Sequence, residues 1–333
     1  MTVQPLSGAA TLAQLQAVFD SATSLYVLVD PMQGEPILVS TDVSADRAAQ
    51  QVARETAWDR QVTAVPLDPR VPLAHSQHPY LVTLQGAGDE WLADTLDMAW
   101  AERDASQADG LASDGTGIHR ISWLQTSLFA EDLAEVLASM LRVNTSAWTD
   151  ARYMRLADRR VIDWLRHVVG DARVAAQFGR LRRWVYLDAR GRIEQLTHSQ
   201  DEIEPLRLTA EEWALFMQGE RMHVTAARWL GEIARSNDHA LWERVRQDDH
   251  IYARVTASLD RAELAAQRWP ARFVQARDRS AWAALDLLHP GLERDARVQA
   301  ALQAQPGEES GPAETLHTLS GTLRALMLKG IPS

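Results

Sequence analysis

The hydrophobic positions of residues 11–22 fall at helical spacing (Leu12, Leu15, Val18, Phe19) behind Thr11, a candidate N-cap. The next run, SLYVLVD (24–30), is β-branched and aromatic, apolar at both alternations, and ends at Asp30-Pro31. It predicts a strand buried on both faces. Helical spacing resumes over 44–55, VTAVPL (62–67) and YLVTL (80–84) predict two further strands, and residues 88–104 predict a helix carrying Trp91, Leu92, Leu96 and Trp100. Residues 105–117, rich in Ala, Ser, Asp and Gly, predict a loop. A strand over 119–127 and a helix over 130–141 follow. YMRL (153–156) predicts a strand and 158–168 a helix. Residues 182–198 predict a hairpin whose turn, Asp188–Gly191, uses Gly191 for the positive φ.

Past Pro205 the period changes. Residues 209–304 are helical in spacing almost throughout, opened by the capping box Thr209-Ala-Glu-Glu212, and a last helix is expected over 313–328. The fold class expected is therefore α+β: a mixed α/β N-terminal lobe over 1–205 and an all-helical C-terminal lobe over 206–333.

Composition adds limits. The 333 residues include no cysteine, which removes disulfides, thiol nucleophiles and cysteine metal sites. No run of about 20 apolar residues is present, so no membrane insertion is expected. The N-terminal stretch has neither the basic nor the apolar region of a secretory signal, and a cytoplasmic location is expected. Formal net charge is −11, with 20 acidic against 7 basic residues in 1–150. Residues 152–192 reverse this, with 11 Arg against four Asp. A net acidic chain argues against nucleic acid as a partner. The Arg cluster is expected to meet an acidic partner or, more simply, the acidic first half of the same chain.

Motifs for cofactor or nucleophile chemistry are missing: no P-loop, no G-x-G-x-x-G after a strand, no G-x-S-x-G, no H-E-x-x-H. Gly86-Ala-Gly88 sits between strand and helix, but Asp89-Glu90 place negative charge where a phosphate would lie. His75 and His78 have metal-type spacing without a third ligand nearby. Gly115-Thr-Gly117-Ile-His119 lies in the loop, and the pairs Glu211-Glu212 and Asp248-Asp249 read as solvated helix surface. No catalytic residue, cofactor or metal is expected.

Several segments in order resemble the Tap-like effector-chaperone (adaptor) family of bacterial type VI secretion. They are LYVLVD (25–30); Trp123, Leu124 and Ser127; Leu141-Arg142; MRLADRRVIDWL (154–165); and RRWVYLDARG (182–191). The family's middle motif reads approximately R-[FLY]-[YF]-D-P-R-V-L. Arg155, Leu156, Asp158, Arg160 and Val161 match it, Ala157 replaces the aromatic, and Arg159 replaces the proline. The resemblance covers roughly 20–200 and implies a non-enzymatic, cytoplasmic loading factor. Its partners would be the N-terminal region of one cognate secreted effector, which is toxic, and the spike protein (VgrG/PAAR) that receives it.

Within that reading, the hairpin strand is the expected effector-binding surface. Arg182, Trp184, Tyr186, Arg190 and Arg192 lie on it, joined by Trp213 and Trp229 from the first helices of the second lobe, because Arg and aromatic side chains dominate protein interfaces. The same aromatic face would equally suit a neighbour within the chain. Arg155 and Asp158 are expected to pair, with Asp158 capping the following helix and Arg160 completing the motif. Two other function classes stay open: a hydrolase whose site is spatial, acting through His119 or the acidic residues of the first half, and a scaffold without dedicated cargo.

Overall fold

In a computed structural model of the chain, which describes residues 11–40, 46–113, 119–145, 152–236, 238–304, 320 and 322–325, the run SLYVLV forms β1 (Ser24–Val29) at the centre of a six-stranded sheet. The remaining strands are β2 (Val62–Ala64), β3 (Tyr80–Leu84), β4 (Ile121–Thr126), β5 (Arg142–Thr145), β6 (Arg152–Tyr153), β7 (Leu181–Leu187), β8 (Ile193–Thr197) and β9 (Arg207–Leu208). The large sheet runs β2-β3-β1-β4-β7-β8 with every neighbour antiparallel. A small sheet runs β6-β5-β9, antiparallel in its first pair and parallel in its second.

Alternation along the strands sorts side chains to two faces, and both are dry. One face carries Tyr26, Leu28, Leu81, Leu124, Trp184, Tyr186 and Leu196 into a core closed by α4 (Ala130–Met140), α5 (Arg159–Val169) and α6 (Asp171–Ala175). The other carries Leu25, Val27, Val29, Val82, Trp123, Val185 and Leu187 against α1 (Leu12–Val18), α2 (Arg47–Trp58) and α3 (Glu90–Gln107). Local chemistry starts the helices as the spacing predicts. Thr11 and Gln14 form a capping box on α1, Asp46 caps α2, and Asp158 caps α5. The Gly86–Gly88 turn is a plain strand-to-helix junction in which Asp89 Oδ1 accepts the backbone N–H of Trp91 at 3.0 Å.

The β7–β8 hairpin forms as expected. Gly191 takes φ +77, and its backbone N–H donates to the Asp188 carbonyl at 3.0 Å. A Cβ at this position would also collide with the Trp100 ring.

The chain clusters into two compact units, residues 1–103 with 118–217, and residues 104–117 with 218–333. This division departs from the expected boundary at 205/206. β9 extends the small sheet, and α7 (Ala210–Phe216) follows it with Thr209 and Glu212 as its capping box. The Phe216 carbonyl accepts Trp164 Nε1 at 3.0 Å, so the first unit holds this helix too.

The second unit is helical: α8 (Gly219–Ser236), α9 (His239–Arg246), α10 (Ile251–Arg268), α11 (Ala276–Leu288) and α12 (Ala296–Gln303). It includes part of the segment expected to be a loop. The end of α3 and a 3₁₀ turn, Gly110–Ala112, bury Gly110 and Leu111 beside α8. Glu232 accepts the Leu111 N–H at 3.0 Å, and the Arg228 Nε donates to the Ser113 carbonyl at 2.6 Å. Residues 114–118, and most of the helix expected over 313–328, lie outside the described residues.

Candidate functional site

Asp30 closes β1 and is fully buried. Its Oδ1 accepts the Met32 N–H at 2.9 Å, which caps the 3₁₀ turn Pro31–Gln33. Its Oδ2 accepts Arg155 Nε at 2.5 Å. Arg155 stands just ahead of α5, and its Nη1 lies 3.4 Å from Asp158 Oδ2, so the expected Arg155–Asp158 pair forms. Asp158 does more than cap. Its Oδ1 accepts the backbone N–H of Arg160 at 3.0 Å and Arg160 Nε at 3.1 Å, and Oδ2 accepts Arg160 Nη2 at 2.8 Å. The Arg160 fork thus grips the carboxylate at two points.

The two aspartates share Arg155 and titrate in opposite directions. Burial pushes the Asp30 carboxyl up, and the Arg155 charge does not fully offset it. Burial also opposes ionisation of Asp158, but the charge and hydrogen bonds of Arg160, with Arg155 behind them, hold its pKa below the usual carboxylate value. Tyr153 is raised by its own burial and by the nearby Asp30 charge.

A second ionic group adjoins the first. Asp30 donates its backbone N–H to the Arg120 carbonyl at 2.9 Å, and Arg120 Nε donates to Glu102 at 2.9 Å. Glu102 also lies 3.4 Å from Nη1 of Arg159. Arg159 stands where the resembled motif has proline. It is buried, and its Nη2 reaches the Ala99 carbonyl at 2.8 Å. The departure from the motif therefore inserts a guanidinium that ties α5 to α3. Asp30, Glu102 and Arg120 were not singled out by sequence; the abrupt Asp-Pro stop after an apolar strand is the signal that marks Asp30.

The residues expected to bind cargo are placed otherwise. Trp184 and Tyr186 are fully buried, so β7 offers no open aromatic face. The reason is that α4 to α6 cover that side of the sheet while Val185 and Leu187 fill the other. Trp184 packs on Phe178 with ring centroids 6.1 Å apart, and its Nε1 is buried without a hydrogen-bond partner. The Tyr186 hydroxyl donates to Asp163 at 2.7 Å and accepts from Arg166 at 2.6 Å; its pKa is raised, by burial first.

Arg190 and Arg192 turn inward to Asp188. They give it both backbone N–H groups, at 2.8 and 2.9 Å, and both Nε atoms, at 2.8 and 3.3 Å. Arg182 pairs at the surface with Asp201 at 2.8 Å. Trp213 is half-buried against the same core as Trp184. Trp229 is buried in α8 of the second unit, with the Arg254 guanidinium 4.9 Å above its ring. The structure thus joins Trp184, Tyr186 and Trp213 in one hydrophobic core and sets Arg190 and Arg192 in one ionic turn.

The residues weighed for hydrolysis or metal binding are spread through the fold. His119 is buried, and Gly115 and Gly117 lie outside the described residues. His75 and His78 face each other with ring centroids 5.2 Å apart, and no group of three or more metal-ligating side chains occurs among the described residues. Glu212 accepts Arg173 and the Thr209 N–H, and Asp248 accepts Arg254 at 2.9 Å. No helix among the described residues is long and apolar enough to cross a membrane.

The site at the end of β1 is a set of buried carboxylates each gripped by guanidinium groups. Such an arrangement specifies position: it fixes where the chain enters α5 relative to the sheet. Compared with protein-family models, curated proteins and solved structures, the chain matches none.

Proposed function

We propose that the chain is a non-enzymatic bacterial adaptor that binds a toxic type VI effector in the cytoplasm and loads it onto the secretion spike. One observation carries this reading. Two of the segments that carry the resemblance, LYVLVD and RLADRRV, have Asp30 and Arg155 125 positions apart and meet in a single buried ionic cluster. A buried set of charged residues that locks a strand end to a helix start suits a rigid platform that holds another protein. Cargo recognition in this reading belongs to surfaces other than the β7 strand, whose aromatic residues are core.

Deleting the gene in its own bacterium tests the proposal. The expected result is that one toxic effector disappears from the secreted fraction while the spike protein is still secreted. Unchanged secretion of every effector overturns it.

A further inference from the structure

The large sheet ends on two edges, and they differ. β2 is three residues long, and Pro66 follows it closely, a usual way of blunting an edge. β8 pairs with β7 from Ile193 to Thr197 without a bulge and contains no proline, glycine, lysine or arginine.

Backbone bonds at both ends of the hairpin fix which way the β8 amides point. The Asp188 N–H donates to the Arg192 carbonyl and the His198 N–H to the Arg182 carbonyl, each at 3.0 Å. An antiparallel ladder alternates, so positions 192, 194, 196 and 198 bond to β7. Ile193, Gln195 and Thr197 therefore turn their N–H and C=O groups away from it. No other element takes these groups among the described residues, and Gln195 and Thr197 are exposed.

An open edge of this kind is a template for another strand, and the sequence of β8 suits a copy of itself. Antiparallel pairing about a two-fold axis at Gln195 sets Gln195 opposite its own copy and Ile193 opposite Thr197 of the second copy. The outward positions then all become hydrogen-bonded pairs, about six interchain bonds. Ile193 and Thr197 are both β-branched, which favours a cross-strand pair, and the two Gln195 amides can bond to each other. Glu194 is the one charged residue of the strand. It already accepts Arg192 Nη2 at 2.6 Å, and this register sets it opposite Leu196 and not opposite its own copy.

The flanks match in charge as well. Arg190 and Arg192 lie in the turn before β8, and Arg192 stays partly exposed while it holds Asp188 and Glu194. After β8 come Glu202 and Glu204, both exposed and without a guanidinium partner among the described residues. Antiparallel pairing brings the acidic flank of each copy toward the arginine turn of the other. We propose that two copies of this chain join their large sheets through a two-fold, antiparallel β8–β8 pair centred on Gln195.

The test is size-exclusion chromatography with light scattering on the full-length protein over a concentration series, together with amide hydrogen exchange across β8. The expected result is a concentration-dependent species of twice the chain mass, with slow exchange at Gln195. Gln195→Pro removes a central outward N–H and leaves the bonds to β7 in place. It is expected to raise the Kd of the dimer about tenfold or more with little change in melting temperature. Gln195→Lys and Gln195→Glu are each expected to weaken self-association by setting like charges opposite, and their equimolar mixture to regain it. That mixture decides the matter if the proline variant loses stability. A monomer at every concentration overturns the proposal. Free exchange at Gln195 would then leave the edge for a different protein, and slow exchange would assign it to a segment of the same chain. A dimer that none of these substitutions weakens overturns it equally.

Discussion

Arg155 donates from Nε to Oδ2 of Asp30 at 2.5 Å and places Nη1 3.4 Å from Asp158, so one guanidinium bridges the end of the central strand and the start of α5. The bridge ties the spacing of Arg155 and Asp158 to the start of α5. Asp158 must be three residues on from Arg155 to cap the helix and still meet the same side chain.

Removing Asp158 tests how much of this is pairing. Loss of a cap alone costs about 1 kcal/mol. Asp158 is 1 % exposed and also holds Arg160 and Arg155, so Asp158→Ala is expected to cost about 3 kcal/mol or more. Asp158→Ser, which restores only the cap, is expected to recover about 1 kcal/mol of that. Urea midpoints at constant slope measure both. A total loss near 1 kcal/mol shows that the ion pairs contribute nothing.

Asp30 and Asp158 are expected to respond differently to the same substitution. Asp30 has its pKa raised, so its ionisation is penalised in the fold; Asp158 has its pKa lowered, so its ionisation is favoured. The stability contributed by Asp158 is present above its unfolded pKa and is lost as pH falls through the folded value. That from Asp30 is present below its unfolded pKa and is lost as pH rises through the folded value. At neutral pH, Asp30→Asn is therefore expected to destabilise less than Asp158→Asn. Equal losses in denaturant melts contradict this.

His167 is exposed at its edge but stacks on Trp164 with ring centroids 5.0 Å apart, and the desolvation of that stacked ring holds its pKa below the ordinary 6.5. The unfolded chain binds the proton first, so its contribution is present above pH 6.5 and is lost as pH falls through the folded value. His167→Phe is expected to flatten the pH dependence of stability in that window. A variant with the same acid slope as the parent shows that His167 is not responsible.

Trp184→Ala is expected to cost about 3 to 5 kcal/mol, the usual range for emptying a buried aromatic site. Trp184→Phe is expected to cost clearly less, since Nε1 has no hydrogen bond to lose. A near-neutral alanine variant would return this strand to the surface.

Much of the architecture was legible from side-chain pattern alone. SLYVLV, YLVTL and the hairpin around Gly191 became β1, β3 and β7–β8, and Thr209 and Asp158 cap the helices they precede. The failure at Trp184 and Tyr186 has an identifiable source. WVYL is apolar at both alternations, as SLYVLV is, and the same signal that buries β1 on two faces applies to it. The expected loop at 105–117 misled because small residues can mark close packing as well as flexibility. Gly231 of α8 has no room for a Cβ beside the Gln107 carbonyl, and Gly110 takes φ +48 next to Glu232 and Arg235. β5, β6 and β9 are too short to show a period. The Arg-rich stretch joins acids of both kinds: Asp30 and Glu102 from the first half, and Asp158, Asp171 and Asp188 from within itself.

The most direct test of the adaptor reading is co-expression with candidate type VI toxin and spike genes from the same bacterium, followed by size-exclusion chromatography with light scattering. The account predicts a stable complex of this chain with the N-terminal region of the toxin, and a toxin that is insoluble or absent from the spike when the chain is omitted. A chain that elutes alone, beside a toxin that is soluble and reaches the spike without it, contradicts the account.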